Sequence, residues 1–461
     1  MGKSLSIQEY IDKHKEDFLE ELFKLIRIPS VSSQPEHAAD MQHCAELWAD
    51  LLLKSGMSYS RIIPTAGNPV VFAEKIYSLD APTVLVYGHY DVMPEDPVDK
   101  WISPAFEPEV RNGLIYARGA DDDKGQSMAQ VKGFEVADRL GLLRCNVKVI
   151  LEGEEEIGSP SLEAFCQEHR DLLSCDVILV SDTAMVAKDI PSITVGLRGI
   201  CYWEIKVQGP NRDLHSGKYG GAIANPLNVL CSLISQLTDS KGKVTIPEFY
   251  DDIIELSDRE REMISKVPFD EEGFKADLGI SETSGELDYT VTERLTCRPT
   301  LDLCGIFGGY TGDGAKTILP SEATAKVSCR LVANQDHVKI EQDLAKYIKD
   351  LAPKGVKVTV QALHGGKPYL CPVTHPAYQV AEEAYAATYG VKPIAMRSGG
   401  SIPIISTFEK VLGVKSILMG FGLNSDDIHS PNENFPLDNF YNGIRTVAEF
   451  YARYGHGEQS K

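Results

Sequence analysis

No stretch of this chain approaches the ~20 consecutive apolar residues that span a bilayer, so no membrane partner is expected. The segment from Met1 to Leu25 also lacks the apolar core of a signal peptide and is instead amphipathic and rich in Lys and Glu. Basic residues are in deficit: 46 Lys and Arg against 67 Asp and Glu give a formal net charge of -21. Without clustered Lys and Arg there is no footprint for a phosphate backbone, and nucleic acid is not expected as a partner. None of the 10 cysteines forms a Cys-x-x-Cys pair, which removes a zinc ribbon or a thioredoxin-like motif. Scattered thiols fit a reducing compartment, and the expected location is the cytoplasm.

A chain of 461 residues is long for one compact domain. Ser6 and Glu9 have capping-box spacing, and apolar residues then recur at helical intervals from Ile7 to Leu25. A second helix is expected over 37–54, stopped by Gly56. From Thr83 the pattern becomes a short β-branched run of the kind found in strands covered on both faces. Similar runs start at Asn146 and Asp176. With helices expected over 127–140 and 162–172, this is the alternation of an α/β domain with a mostly parallel sheet. A turn at Val207–Pro210 opens a second pattern, strand–helix–strand–strand–helix–strand, which predicts an inserted α+β, ferredoxin-like domain. The expected division is 1–207 and 373–461 for a catalytic domain and 208–372 for the insertion, a lid or dimerisation domain.

Each of the three buried-type strands releases metal-ligand residue types at its C-terminal end. Gly88-His89-Tyr90-Asp91 follows the first, Glu152-Gly153-Glu154-Glu155-Glu156 the second and Ser181-Asp182 the third. That edge of an open α/β sheet is where ligands bind. A fourth acidic run, Asp121-Asp122-Asp123, lies between Gly119 and Gly125 ahead of a helix. An acid run alone is ordinarily a solvated helix start, but four acidic or His-bearing sites together point to metal. An Asp two residues after His89 suits the device that orients a ligating imidazole. Asp427–Glu433, with His429, and Asp213–Gly217, with His215, are weak signals alone. Gly309–Thr317 approaches a P-loop, but Ala315 separates Gly314 from Lys316, and no helix-forming run follows.

Taken in order, Gly88–Val92, Arg118–Gly125, Glu155–Ser159, Ser181-Asp182, Asp213–Gly217 and His429–Glu433 resemble the motifs of the co-catalytic zinc metallopeptidase family. Within it they most resemble the cytosolic non-specific dipeptidase and carnosine dipeptidase branch, with the match running from about Tyr10 to Tyr454. The resemblance implies two divalent metal ions per subunit, zinc or manganese, since O and N ligands serve both. His89 and Asp182 would hold one ion, Glu156 and His429 the other, and Asp122 would bridge them. Glu155 would be the general base, Asp91 the orienting partner of His89, and Asp122-Asp123 a cis peptide. Such an ion pair acidifies a shared water and polarises a scissile carbonyl. Arg330 would bind the terminal carboxylate of a short peptide substrate, a planar fork suiting that anion, with Thr317, His364 and Ser401 beside it. His215 would cross to the partner's site in a homodimer formed through the inserted domain. The acids come in triplets where the family has pairs, so a register shifted by one is the alternative for both bridge and base. Ser398 stands where some relatives carry an acid, which leaves substrate preference open. The implied function is metal-dependent dipeptide hydrolysis. Its alternatives are an N-acyl amino acid deacylase of the same architecture and a catalytically inactive metal-binding module.

Overall fold

The computed structural model describes residues 5–400 and 402–455. The chain divides into two compact units, one of residues 1–195, 371–396 and 407–461, the other of residues 196–370 and 397–406. The crossing falls ahead of the Val207–Pro210 turn, because strand Gly199–Gln208 pairs along its whole length with Glu322–Leu331 of the second unit.

The first unit is built on a mixed sheet. Its strands run in the order Tyr59–Ile63, Val70–Lys75, Asn146–Glu152, Thr83–His89, Val177–Val180, Ser416–Leu418 and Ser192–Leu197. The middle pairings are parallel and the outer ones antiparallel. The central strands are buried almost throughout, as their largely apolar sequences favour. Helix Lys124–Arg139 packs against helices Ile7–Ile26 and Leu437–Arg453. They approach closely at Gly133, where an added Cβ would lie 2.4 Å from that of Val447. The first helix carries the Ser6–Glu9 capping box. Because Thr83–His89 runs parallel to both Asn146–Glu152 and Val177–Val180, all three strands end at one edge, and His89 pairs in register with Glu152.

The second unit holds a four-stranded antiparallel sheet in the order Thr300–Gly308, Glu322–Leu331, Gly199–Gln208 and Lys357–Gly366. With helices Pro226–Ile234 and His337–Leu351 this is the expected split βαββαβ arrangement. Alternate residues Cys201, Trp203, Ile205 and Val207 meet Ala323, Ala325, Val327 and Cys329 in a core closed by Leu230, Leu233, Ile340 and Leu344 of the two helices. Gly309–Thr317 forms no phosphate cradle: Ile318-Leu319 follows it as a short strand paired with Leu214-His215. Among the described residues, no helix is long and apolar enough to cross a membrane.

Lys124 fixes the start of its helix to the end of the first one. It is fully buried, and its Nζ donates to the carbonyls of Leu25 (3.0 Å) and Ile28 (2.7 Å), the end of a helix where a cation is favoured. Lys124→Met leaves both carbonyls without this donor and is expected to cost about 2–4 kcal/mol. Urea unfolding of the metal-free protein should show it as a lower midpoint at unchanged slope. A wild-type midpoint would mean that the two carbonyls find other donors.

Candidate metal centre

His89 ends its strand fully buried. The approach depends on Gly88, where a Cβ would lie 1.9 Å from Ser127 Oγ and 2.9 Å from Asp123 Oδ2. Its Nδ1 hydrogen-bonds the Asp91 carbonyl at 3.1 Å, with Asp91 Oδ1 at 3.4 Å. Nδ1 faces only acceptors there and takes the proton, which leaves the Nε2 lone pair for a metal. Nε2 is buried without a hydrogen bond and lies 3.1 Å from Asp122 Oδ1 and 3.9 Å from Asp182 Oδ2. The two oxygens of Asp91 also accept the N–H groups of Glu155 (3.2 Å) and Glu156 (3.1 Å). One carboxylate thus fixes both the imidazole and the turn that carries the paired glutamates.

Asp122 stands between two ligand sets. Its Oδ1 faces His89, while its Oδ2 lies 2.9 Å from His429 Nε2. His429 Nε2 is in turn 3.2 Å from Glu156 Oε2, and Glu156 Oε1 is occupied by the Met93 N–H at 3.1 Å. The sets are His89, Asp122, Asp182 and Asp122, Glu156, His429, with the ligand atoms of each within 4.8 Å of one another. Ligands about 2.0–2.2 Å from a common ion are separated by roughly 3–4 Å, which the measured distances match. The Asp122-Asp123 peptide bond is cis. His429 has φ 60° and its neighbours Asp427 and Asn432 have φ 54° and 67°, a left-handed region that Asp, Asn and His enter more readily than other non-glycine residues.

The electrostatics fit divalent cations. Burial raises the Glu155 carboxyl to about 8, with His89 opposing and Asp182 adding to the rise. Burial and then the Asp122 charge push Asp182 well above the usual carboxylate range. Burial also acts on Asp122, but the hydrogen bond from His429 and the adjacent His89 imidazole outweigh it and hold that carboxyl below its usual value. His429 is raised to about 10 by Asp122 and Glu156. In the protein alone, protons meet the excess negative charge. Cations would replace them, since buried carboxylates need a counter-charge.

The other members of each acidic triplet face elsewhere. Asp123 Oδ2 accepts from the His89 N–H (3.1 Å) and Ser127 Oγ (2.6 Å), while Asp121 is buried against Gly422 and Asp426. Glu154 accepts the N–H groups of Asn68 and Ser161, each at 3.3 Å. The Glu155 carboxylate has no hydrogen-bond partner among the described residues. Glu433 is a residue whose part the sequence did not disclose. Fully buried, it accepts from Arg118 (2.7 Å) and from the N–H groups of Gly119 (3.0 Å), Asp121 and Asp122 (each 3.1 Å). A charged residue directly ahead of the buried Asn434–Pro436 strand was the available signal.

His215, Thr317, Arg330 and His364 belong to the second unit. His215 is exposed, and its Nδ1 accepts the Gly217 N–H at 3.0 Å, which puts the proton of a neutral ring on Nε2. Thr317 is exposed and accepts the Ser216 N–H through its carbonyl at 3.0 Å. Arg330 lies on the central strand Glu322–Leu331, opposite Ile200 and Thr300. His364 stacks on Tyr202. Ser401 lies outside the described residues.

Comparison with known proteins agrees with this arrangement. The chain is 31% identical over 463 residues to the Cys-Gly metallodipeptidase dug1 of Schizosaccharomyces pombe, covering 96% of this chain and 97% of that protein. It is 28% identical over 461 residues to the Beta-Ala-His dipeptidase of Homo sapiens, covering 96% and 91%. The crystal structure of the M20 family metallo-carboxypeptidase Sso-CP2 from Sulfolobus solfataricus superposes with a TM-score of 0.82 at 33% identity, covering 95% of this chain and 99% of that one. The family model for peptidases M20/M25/M40 matches residues 85–453, and with the ligand sets, the relatives and the fold in agreement, the chain belongs to peptidase family M20/M25/M40.

Proposed function

We propose that this peptidase is a metal-dependent dipeptidase that hydrolyses dipeptides or short peptides bearing a free C-terminal carboxylate. The observation that carries the reading is the division of Asp122 between two ligand sets, one oxygen to each. The relatives named for Cys-Gly and β-Ala-His dipeptides support the substrate class. His89, Asp122 and Asp182 would hold one divalent ion, and Asp122, Glu156 and His429 the other, with zinc the first choice and manganese the alternative. When bound, such a pair supplies Lewis acidity toward the scissile carbonyl and acidifies a water.

The chain's own residues do the rest. Glu155, half-buried and with no hydrogen-bond partner for its carboxylate among the described residues, takes the proton from the attacking water and passes it to the leaving amine. Asp91 keeps His89 and the Glu155–Glu156 turn in fixed relation. Arg330 pairs with the terminal carboxylate of the substrate, with Thr317 and His364 beside it. His215, with its proton on Nε2, serves as an oxyanion donor lent by the partner subunit in a homodimer. All ten cysteines are free thiols, which supports a cytoplasmic location.

Metal-reconstituted protein should release products from a dipeptide panel and not from an N-acyl amino acid panel; the reverse would identify a deacylase. Glu155→Gln should retain both ions in elemental analysis yet lose about 10²- to 10⁴-fold in turnover. Loss of an ion, or near-normal turnover, would sink the base assignment. Glu433→Gln removes the carboxylate that gathers the N–H groups of the bridging loop, and metal affinity should fall about 10- to 100-fold, read by competition with a chelating dye. An unchanged affinity would show that the loop holds its shape without that charge. His215→Ala and Glu155→Gln should each be nearly inactive alone, and a donor lost from an oxyanion site typically costs about 10²- to 10³-fold. Dissociating, mixing and re-pairing the two should restore part of the activity, because one site of each mixed dimer then has both residues intact. An active monomer, or a dead mixture when wild-type dimers survive the exchange, would rule out the cross-subunit role.

A further inference from the structure

The sheet of the second unit has one face on its core and one that neither helix Pro226–Ile234 nor helix His337–Leu351 covers. On the central strand Gly199–Gln208 the odd-numbered residues from 201 to 207 are buried, while Ile200, Tyr202, Glu204 and Lys206 are half-buried on the other face. Arg330 and Ser328 share that second face, since they pair with Ile200 and Tyr202.

Strict alternation would keep His364 off it. On strand Lys357–Gly366, Val358 and Val360 pack on the core, and Ala362 pairs with the buried Trp203. Two residues further on, His364 would point the same way. The register shifts there: Trp203 pairs with Ala362, but Tyr202 pairs with His364, so Leu363 is the additional residue of a β-bulge. The bulge turns His364 to the face of Arg330 and returns Gly365 to the helix side, where an added Cβ would lie 2.6 Å from His337 Cδ2. The opposite flank has a second bulge, with Leu303 paired to Val327 and Gly305 to Lys326, so Cys304 is extra. Its Sγ lies 3.3 Å from Ser328 Oγ.

Asp302, Ser328, Tyr202 and His364 therefore form one row across all four strands, beside the row that contains Arg330. Tyr202 holds the middle of that row. Its ring stacks on His364 with centroids 5.2 Å apart and planes 9° from parallel, within the range in which ring pairs attract. His364 is exposed, on an edge strand, and followed by two glycines, so its backbone neighbours give the imidazole little support.

We propose that Tyr202 is the positioning residue of the substrate site: its ring, stacked on the bulged His364, holds that imidazole in the orientation that meets an anionic peptide terminus beside Arg330. The inference rests on the reading of His364 and Arg330 as substrate contacts. It goes beyond that reading in assigning the orientation of His364 to the ring of Tyr202 and not to its hydroxyl.

Steady-state kinetics of the full-length, metal-reconstituted protein on a dipeptide tests this with four variants. Tyr202→Leu should raise KM about three- to tenfold with little change in kcat, and Tyr202→Phe, which keeps the ring, should restore KM. Tyr202→Thr gives the same test if leucine disturbs the sheet. In a His364→Ala background, Tyr202→Leu should add nothing further. A wild-type KM for both Tyr202→Leu and Tyr202→Thr, failure of Tyr202→Phe to rescue, or full multiplication of the two effects in the double variant overturns the proposal while leaving His364 as a substrate contact. If His364→Ala itself has wild-type KM and kcat, the reading beneath fails, and the role of Tyr202 falls with it.

Discussion

The carboxylate of Glu433 is the constraint on which the candidate metal centre depends. Acidic side chains crowded into a buried loop repel one another and resist desolvation. The loop from Gly119 to Asp122 tolerates this because three of its N–H groups converge on Glu433, whose own charge is balanced by the buried guanidinium of Arg118. Directly beyond Glu433, strand Asn434–Pro436 pairs with Leu114–Tyr116. Two segments more than three hundred residues apart in sequence are thus joined twice, by a ladder and by a carboxylate. Asp122 and His429 face each other as a result of that joining.

The same logic explains why acids come in runs without acting alike. A run of like charges can be buried only if each member has its own partner. Asp123 receives the His89 N–H and the Ser127 hydroxyl, Glu154 receives two loop N–H groups, and Asp121 lies against Asp426. Asp122 and Glu156 are left to face the histidines, and Glu155 is left with its carboxylate unengaged. Asp91 is the common reference, since it holds one of those histidines and the turn that carries both glutamates. A displacement of that turn would also displace His89, which links Glu155 and His89 mechanically.

Much of the first unit was legible because its signals are local. The β-branched runs from Thr83, Asn146 and Asp176 became parallel neighbours whose ends carry His89, the glutamates and Asp182. Strands Tyr59–Ile63 and Val70–Lys75 were not foreseen. The first is an edge strand in which only Ile63 is buried, and it is defined by pairing with Val70–Lys75, itself fixed by the distant Asn146–Glu152. The second helix of the strand–helix alternation ends at Glu168, short of the expected Leu172. The part played by Glu433 was hidden for a related reason: its partners are backbone N–H groups, which have no sequence signature.

Period-two reasoning on a strand assumes that alternation is unbroken. On that assumption His364 shares a face with Val358 and Val360, which pack on the core, and an imidazole there would read as a core-side polar group. One additional residue, Leu363, reverses the parity and puts His364 on the side of Arg330 and Tyr202. Nothing in Gln361-Ala362-Leu363-His364 distinguishes a bulge from a regular strand. The glycines that follow are compatible with a bulge but do not require one. The resemblance to a family identified His364 as a candidate, whereas the physical reason that it reaches the same face as Arg330 is a register shift visible only when the neighbouring strand is in place.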